Sequence, residues 1–148
     1  MVAALSLFSS LIHLWVMPEH FEEWWGYGTF FLVAAAAQVL YIPLLVRWPN
    51  PSVLLLGIAG NSAIVLLYLL TRVVGVPLFG PEAWEVEGVG IIDLCATMSE
   101  VAIVAALGGL VLMVIAKERT SLIGLVLAAG LLIGAHLPHV LLILVALL

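Results

Sequence analysis

Charge is what this sequence has least of. Of its 148 residues, 9% are Asp, Glu, Lys or Arg and 66% are hydrophobic, whereas soluble domains carry about 25% charged residues. That scarcity excludes water as the solvent for most of the surface. Bases are rarer than acids, four against nine for a net charge of -5. No basic patch is available to hold phosphates, which excludes nucleic acid as a partner. The single cysteine, Cys95, rules out an internal disulfide, a CxxC redox pair and thiolate-rich zinc or iron-sulfur sites, and it reads as a small buried hydrophobe. Also missing are an HExxH motif, the Glu-x-x-His pairs of carboxylate-bridged di-iron bundles, a phosphate-binding glycine loop and a serine-histidine-acid arrangement.

What is present is apolar length. Five stretches stand out: Val2 to Met17, Gly28 to Val46, Val53 to Arg72, Val89 to Ala116 and Ser121 to Leu148. A spanning helix needs about 20 apolar residues, so the expectation is an all-α integral membrane protein, one transmembrane domain over residues 1–148. Four stretches are long enough to span. The first reaches only about 24 Å at 1.5 Å per residue, so a tilted or re-entrant first helix is expected. It lacks a basic leading region and runs into Pro18-Glu19-His20, so it reads as a helix and not as a signal peptide. Pro18, Gly26, Gly28, Pro49, Pro51, Gly80 and Pro81 punctuate the breaks.

Arg47 falls between the second and third stretches, and Lys117 and Arg119 between the fourth and fifth. These turns are expected to face the cytoplasm. The connections Pro18 to Tyr27 and Val74 to Gly88 then lie on the other side of a cell membrane, with Glu19, Glu22, Glu23, Glu82, Glu85 and Glu87. Trp15, Trp24, Trp25 and Trp84 fall at that outer interface, and Trp48 at the inner one. The expected partners are the bilayer and, beside it, a second copy of the chain or another membrane protein.

Counting depth from the helix ends gathers the intramembrane polar residues in the outer leaflet. His13 and Asp93 come out about 6 Å deep, Glu100 about 16 Å deep, and His136 and His139 fall in the same half, below His20 in the connection. Asp93, Thr97 and Glu100 are spaced i, i+4, i+7 and share one helix face. His136 and His139 also share a face, and Pro138 between them can kink the helix. Gly130 and Gly134 form a GxxxG that permits close packing. Ionisable groups facing lipid cost several kcal/mol each, so these stripes should point inward, with Gln38 and Asn61 at the floor.

Three readings of the cluster stay open beside a purely structural polar network. Imidazoles with carboxylates suit zinc, copper or iron, with His13, His136 and His139 as ligands and His20, Glu23, Asp93 or Glu100 as a further ligand or partner. Two histidines at equal depth, such as His13 and His136, suit the axial positions of a b-type haem. A ladder of Glu and His down to Glu100 suits an intramembrane proton or cation relay. With an open metal position and Asp93 or Glu100 as general base, the first reading becomes a zinc-dependent membrane hydrolase.

Overall fold

The computed structural model describes residues 1–76 and 80–146, with side chains through residue 124. The described residues form four helices and no strand: α1 (Val2–Glu23), α2 (Trp25–Arg47), α3 (Pro51–Val73) and α4 (Ile91–Ala146). Val2–Glu23, Trp25–Arg47, Pro51–Val73 and the Ile91–Gly124 part of α4 are each long and apolar enough to cross a membrane. That is consistent with a multi-pass membrane protein. The chain divides into two compact units, Met1–Val111 and Leu112–Leu148.

Two expectations about segments are corrected. The first helix is not short, because it continues through Pro18 to Glu23 and has 22 residues, or about 33 Å. Proline removes one backbone donor, yet the helix persists around it, and His20 Nδ1 adds a bond to the Val16 carbonyl at 2.9 Å. The expected connection Pro18 to Tyr27 therefore shrinks to one extended residue, Trp24. The fifth segment is not separate either, because α4 runs unbroken past Lys117 for 56 residues in all. No Gly or Pro lies between Gly109 and Gly124, and Ala, Lys, Glu and Arg are good helix formers. Thr120 Oγ1 bonds back to the Ala116 carbonyl at 2.8 Å. The charges interrupt the apolar run without ending the helix.

In the first unit, α1 and α2 form an antiparallel hairpin whose contact face is built from small residues: Ser6, Ser9, Ser10, Gly28, Ala34 and Ala35 are all buried. Gly28 lies against the Phe21 ring, where a Cβ would collide with it. Asn50 begins α3, its side-chain oxygen accepting from Val53 N at 3.1 Å, with Pro51 as the first helical residue. Gly57 faces Tyr41, whose hydroxyl donates to the Val53 carbonyl at 3.1 Å.

One end of this unit is apolar. Val2, Tyr41, Val53, Leu54, Ile103 and Leu107 form its core, and Ile103 and Leu107 are fully buried. They extend the stripe of Asp93, Thr97 and Glu100 along α4, as a 3.6-residue period requires. Outward faces carry large apolar side chains such as Leu11, Leu40, Leu56 and Leu66. Cys95 is exposed among them rather than buried as its type suggested, because it lies two residues past Asp93, off the inward stripe.

Since the core packs protein against protein, Leu107→Ala should lower stability by about 2 kcal/mol. Leu56→Ala, on an outward face, should change it by less than about 0.5 kcal/mol. Unfolding of purified protein in a detergent series measures both, and equal effects would mean that the two helix faces are misassigned.

Candidate functional site

The other end of the first unit holds a cavity of about 310 Å³, with acids and aromatic rings in its wall. It is formed by the last turns of α1 and α3, the first turns of α2 and α4, and the connection after α3. Glycines at positive φ, Gly75 and Gly80, turn that connection back, and Glu87 N bonds to the Thr71 carbonyl at 3.1 Å. Glu82 and Glu87 are thereby brought to the cavity wall.

At the foot of the cavity, His13 Nε2 lies 2.8 Å from Glu100 Oε1, with the two side chains 3% and 1% exposed. Glu100 Oε1 also accepts from Ser9 Oγ at 3.1 Å and from Gln38 Nε2 at 3.4 Å. With Glu100 as the carboxylate, the oxygen that accepts from Ser9 and Gln38 accepts from His13 too, which puts the imidazole hydrogen on Nε2. Gln38 Nε2 further donates to Ser9 Oγ at 3.1 Å and to Asn61 Oδ1 at 3.4 Å, and Asn61 is tied to the Gly57 carbonyl at 2.8 Å. Ser6 Oγ donates to the backbone carbonyl of Gln38 at 3.0 Å. Four helices therefore meet in one network around Glu100. The other ring nitrogen of His13, Nδ1, has no protein partner, and His13 lines the cavity.

Ser9, His13 and Glu100 do come together, but not as a catalytic triad. A triad needs serine on one imidazole nitrogen and the acid on the other. Here Ser9 Oγ, at 3.5 Å, and Glu100 both address Nε2.

Higher in the cavity, Asp93 accepts from Arg72 Nη2 at 2.9 Å, and Glu87 accepts from Arg72 Nη1. The guanidinium also lies 4.6 Å from the centre of the Tyr68 ring. His20 lies tilted against Phe31, with ring centres 4.1 Å apart and ring planes at 50°. Tyr27, Phe30, Phe31 and Tyr68 supply the aromatic wall.

Of the residues expected at the site, His13, His20, Glu23, Asp93 and Glu100 all line this cavity. His136 and His139, with Gly130, Gly134 and Pro138, lie beyond the residues whose side chains are described. Among the described residues no group of three or more His, Cys, Asp or Glu is gathered to hold a metal ion. Several of their donor atoms are engaged elsewhere: Nε2 of His13 with Glu100, Asp93 with Arg72, and Nδ1 of His20 with backbone.

Sequence reasoning passed over Ser6, Ser9 and Arg72, although each carried a signal. Ser6, Ser9 and His13 recur at i, i+3, i+7 on α1. Arg72 is a base at the acid-rich end of the bundle, where it needed a partner.

The network predicts a graded loss of stability. Glu100→Ala strands three buried donors and should cost about 3 kcal/mol or more. Glu100→Gln keeps an acceptor oxygen and should cost less. Thermal unfolding of the two variants in one detergent tests this, and a Glu100→Ala cost no larger than that of Leu56→Ala would overturn the network. No protein-family model, no curated protein and no solved structure matches the chain, so the geometry of this site is what its function must be read from.

Proposed function

We propose that this chain is a multi-pass membrane protein that takes up a proton or a small cation into a one-sided cavity ending at His13 and Glu100. The observation that carries the reading is the 2.8 Å contact between His13 Nε2 and Glu100 Oε1, with Nδ1 left without a partner. Nε2 keeps its hydrogen for Glu100, and Nδ1 is the nitrogen that exchanges. A proton entering from the cavity binds Nδ1 and makes an imidazolium, whose charge the adjacent carboxylate meets. Ser9 and Gln38 steady that carboxylate in either state. Below Glu100 the fully buried Ile103 and Leu107 offer no polar group to continue a relay. The reading is therefore uptake and release at one face, not passage through the membrane.

The test is ring nitrogen-15 NMR of histidine-labelled protein in detergent, with His13 assigned by its loss in a His13→Gln variant. Across the pH range in which the fold survives, Nε2 should stay protonated while Nδ1 gains and loses a proton. In Glu100→Gln the tautomer should no longer be fixed, and both neutral forms should be populated. A His13 ring that never changes protonation would sink the proposal.

A second reading, a bound transition metal, has one observation in its favour. The unpartnered Nδ1 of His13 shares the cavity with His20 and the exposed carboxylate of Glu23. Zinc, copper or iron would use Nδ1 of His13 with His136 and His139, the ligands expected from the sequence, and a b-type haem would draw on the same histidines. Elemental analysis and an absorption spectrum of protein purified without chelators test it. A stoichiometric metal lost in His13→Gln supports the metal reading, and a Soret band supports the haem.

A further inference from the structure

The same cavity has the chemistry of a receptor for a particular class of cation. Five carboxylates line it, from Glu23, Glu82, Glu87, Asp93 and Glu100, against one guanidinium, Arg72. That guanidinium gives Nη1 to Glu87 and Nη2 to Asp93 and keeps only its buried Nε without a partner. An anionic ligand would find the charge of its one base already met by two carboxylates and several like charges around it. A cation would find carboxylates at Glu23 and Glu82 with no base ion-paired to them among the described residues.

The shape of the cation follows from two further features. The wall is aromatic, and Arg72 over the Tyr68 ring is an internal sample of how it receives a positive group, since a cation over an aromatic face is attracted by the ring quadrupole. At the foot, His13 is 3% exposed and its Nδ1 is an unmatched atom. With the hydrogen on Nε2 directed at Glu100, Nδ1 carries a lone pair and accepts. It needs a ligand that brings an N–H. The cavity, about 310 Å³, sits at the lower end of small-molecule sites, roughly 300–1,000 Å³.

We infer that the cavity binds a primary ammonium ion on a small apolar body, its N–H donating to His13 Nδ1 and its body lying against Tyr27, Phe30, Phe31 and Tyr68. This rests on the reading of Nδ1 as the cavity-facing nitrogen of the pair. A quaternary ammonium has the charge but no N–H, so it leaves Nδ1 unpaired. Rejection of an analogue that lacks a needed donor is stronger than rejection by size alone.

Calorimetry on the full chain in detergent tests the inference, at a pH where the His13 ring signals report Nδ1 unprotonated. Benzylamine should bind saturably, and benzyltrimethylammonium at least about tenfold more weakly. Benzoate, similar in shape and opposite in charge, should not bind. His13→Phe should abolish benzylamine binding. Should that variant fail to fold, Glu82→Gln at the exposed rim is the alternative, with an expected loss of about two- to fivefold. Repeating the titration in phosphatidylcholine and phosphatidylethanolamine nanodiscs identifies the source of the ammonium. Weaker binding in phosphatidylethanolamine points to a competing lipid headgroup, and equal binding to a free amine, both within the inference. Absence of saturable benzylamine binding, equal affinity for the trimethylated analogue, or binding of benzoate overturns it. Failure here with normal proton exchange at Nδ1 removes only the ammonium. Benzylamine binding without proton exchange removes only the proton reading.

Discussion

A carboxylate buried among the helices constrains the rest of this structure. Glu100 is 1% exposed, and an ionisable group in that position must find partners within the protein. Its Oε1 receives three donors from two other helices, His13 and Ser9 on α1 and Gln38 on α2. The small residues on the α1 and α2 faces follow from the same need, because the two backbones must come close for Ser6, Ser9 and Gln38 to reach one another. Asn61, reached through Gln38, brings α3 into the same set of bonds.

The polar network also divides the first unit into two chemically different ends. Toward Ile103 and Leu107 there is dry packing with a full complement of neighbours. Toward Asp93 there is a cavity, because Arg72 draws Glu87 and Asp93 to one side and the aromatic rings stand around the remaining space. The connection after α3 belongs to this end. Its backbone is pinned to Thr71, and Glu82 and Glu87 join the cavity wall.

The class of the protein was legible because apolar length is a one-dimensional signal, and the Pro49 to Pro51 break is a local one that Asn50 completes. The spacing of Asp93, Thr97 and Glu100 was enough to give the inward face of α4. Segment ends were less legible. Pro18 looked like a terminator, but a helix tolerates one missing donor when its flanking turns hold. The charges at Lys117 to Arg119 looked like a turn, yet they are helix formers with no breaker beside them. Pairing across helices was the least legible, since nothing in the local sequence of Arg72 names Glu87 and Asp93, or in that of Ser9 names Glu100.

The one-residue connection at Trp24 bears on how the chain is assembled. A hairpin this tight enters a bilayer as a unit, and its own Ser6, Ser9 and Gln38 already bond to each other across it, which lowers the cost of carrying them into lipid. Glu100 has no such local relief. It lies on the fourth helix in chain order, and its partners are waiting on the first two. Docking the fourth helix one turn out of register would part that carboxylate from its three donors, so the buried acid of the interior also acts as the key that fixes how the bundle closes.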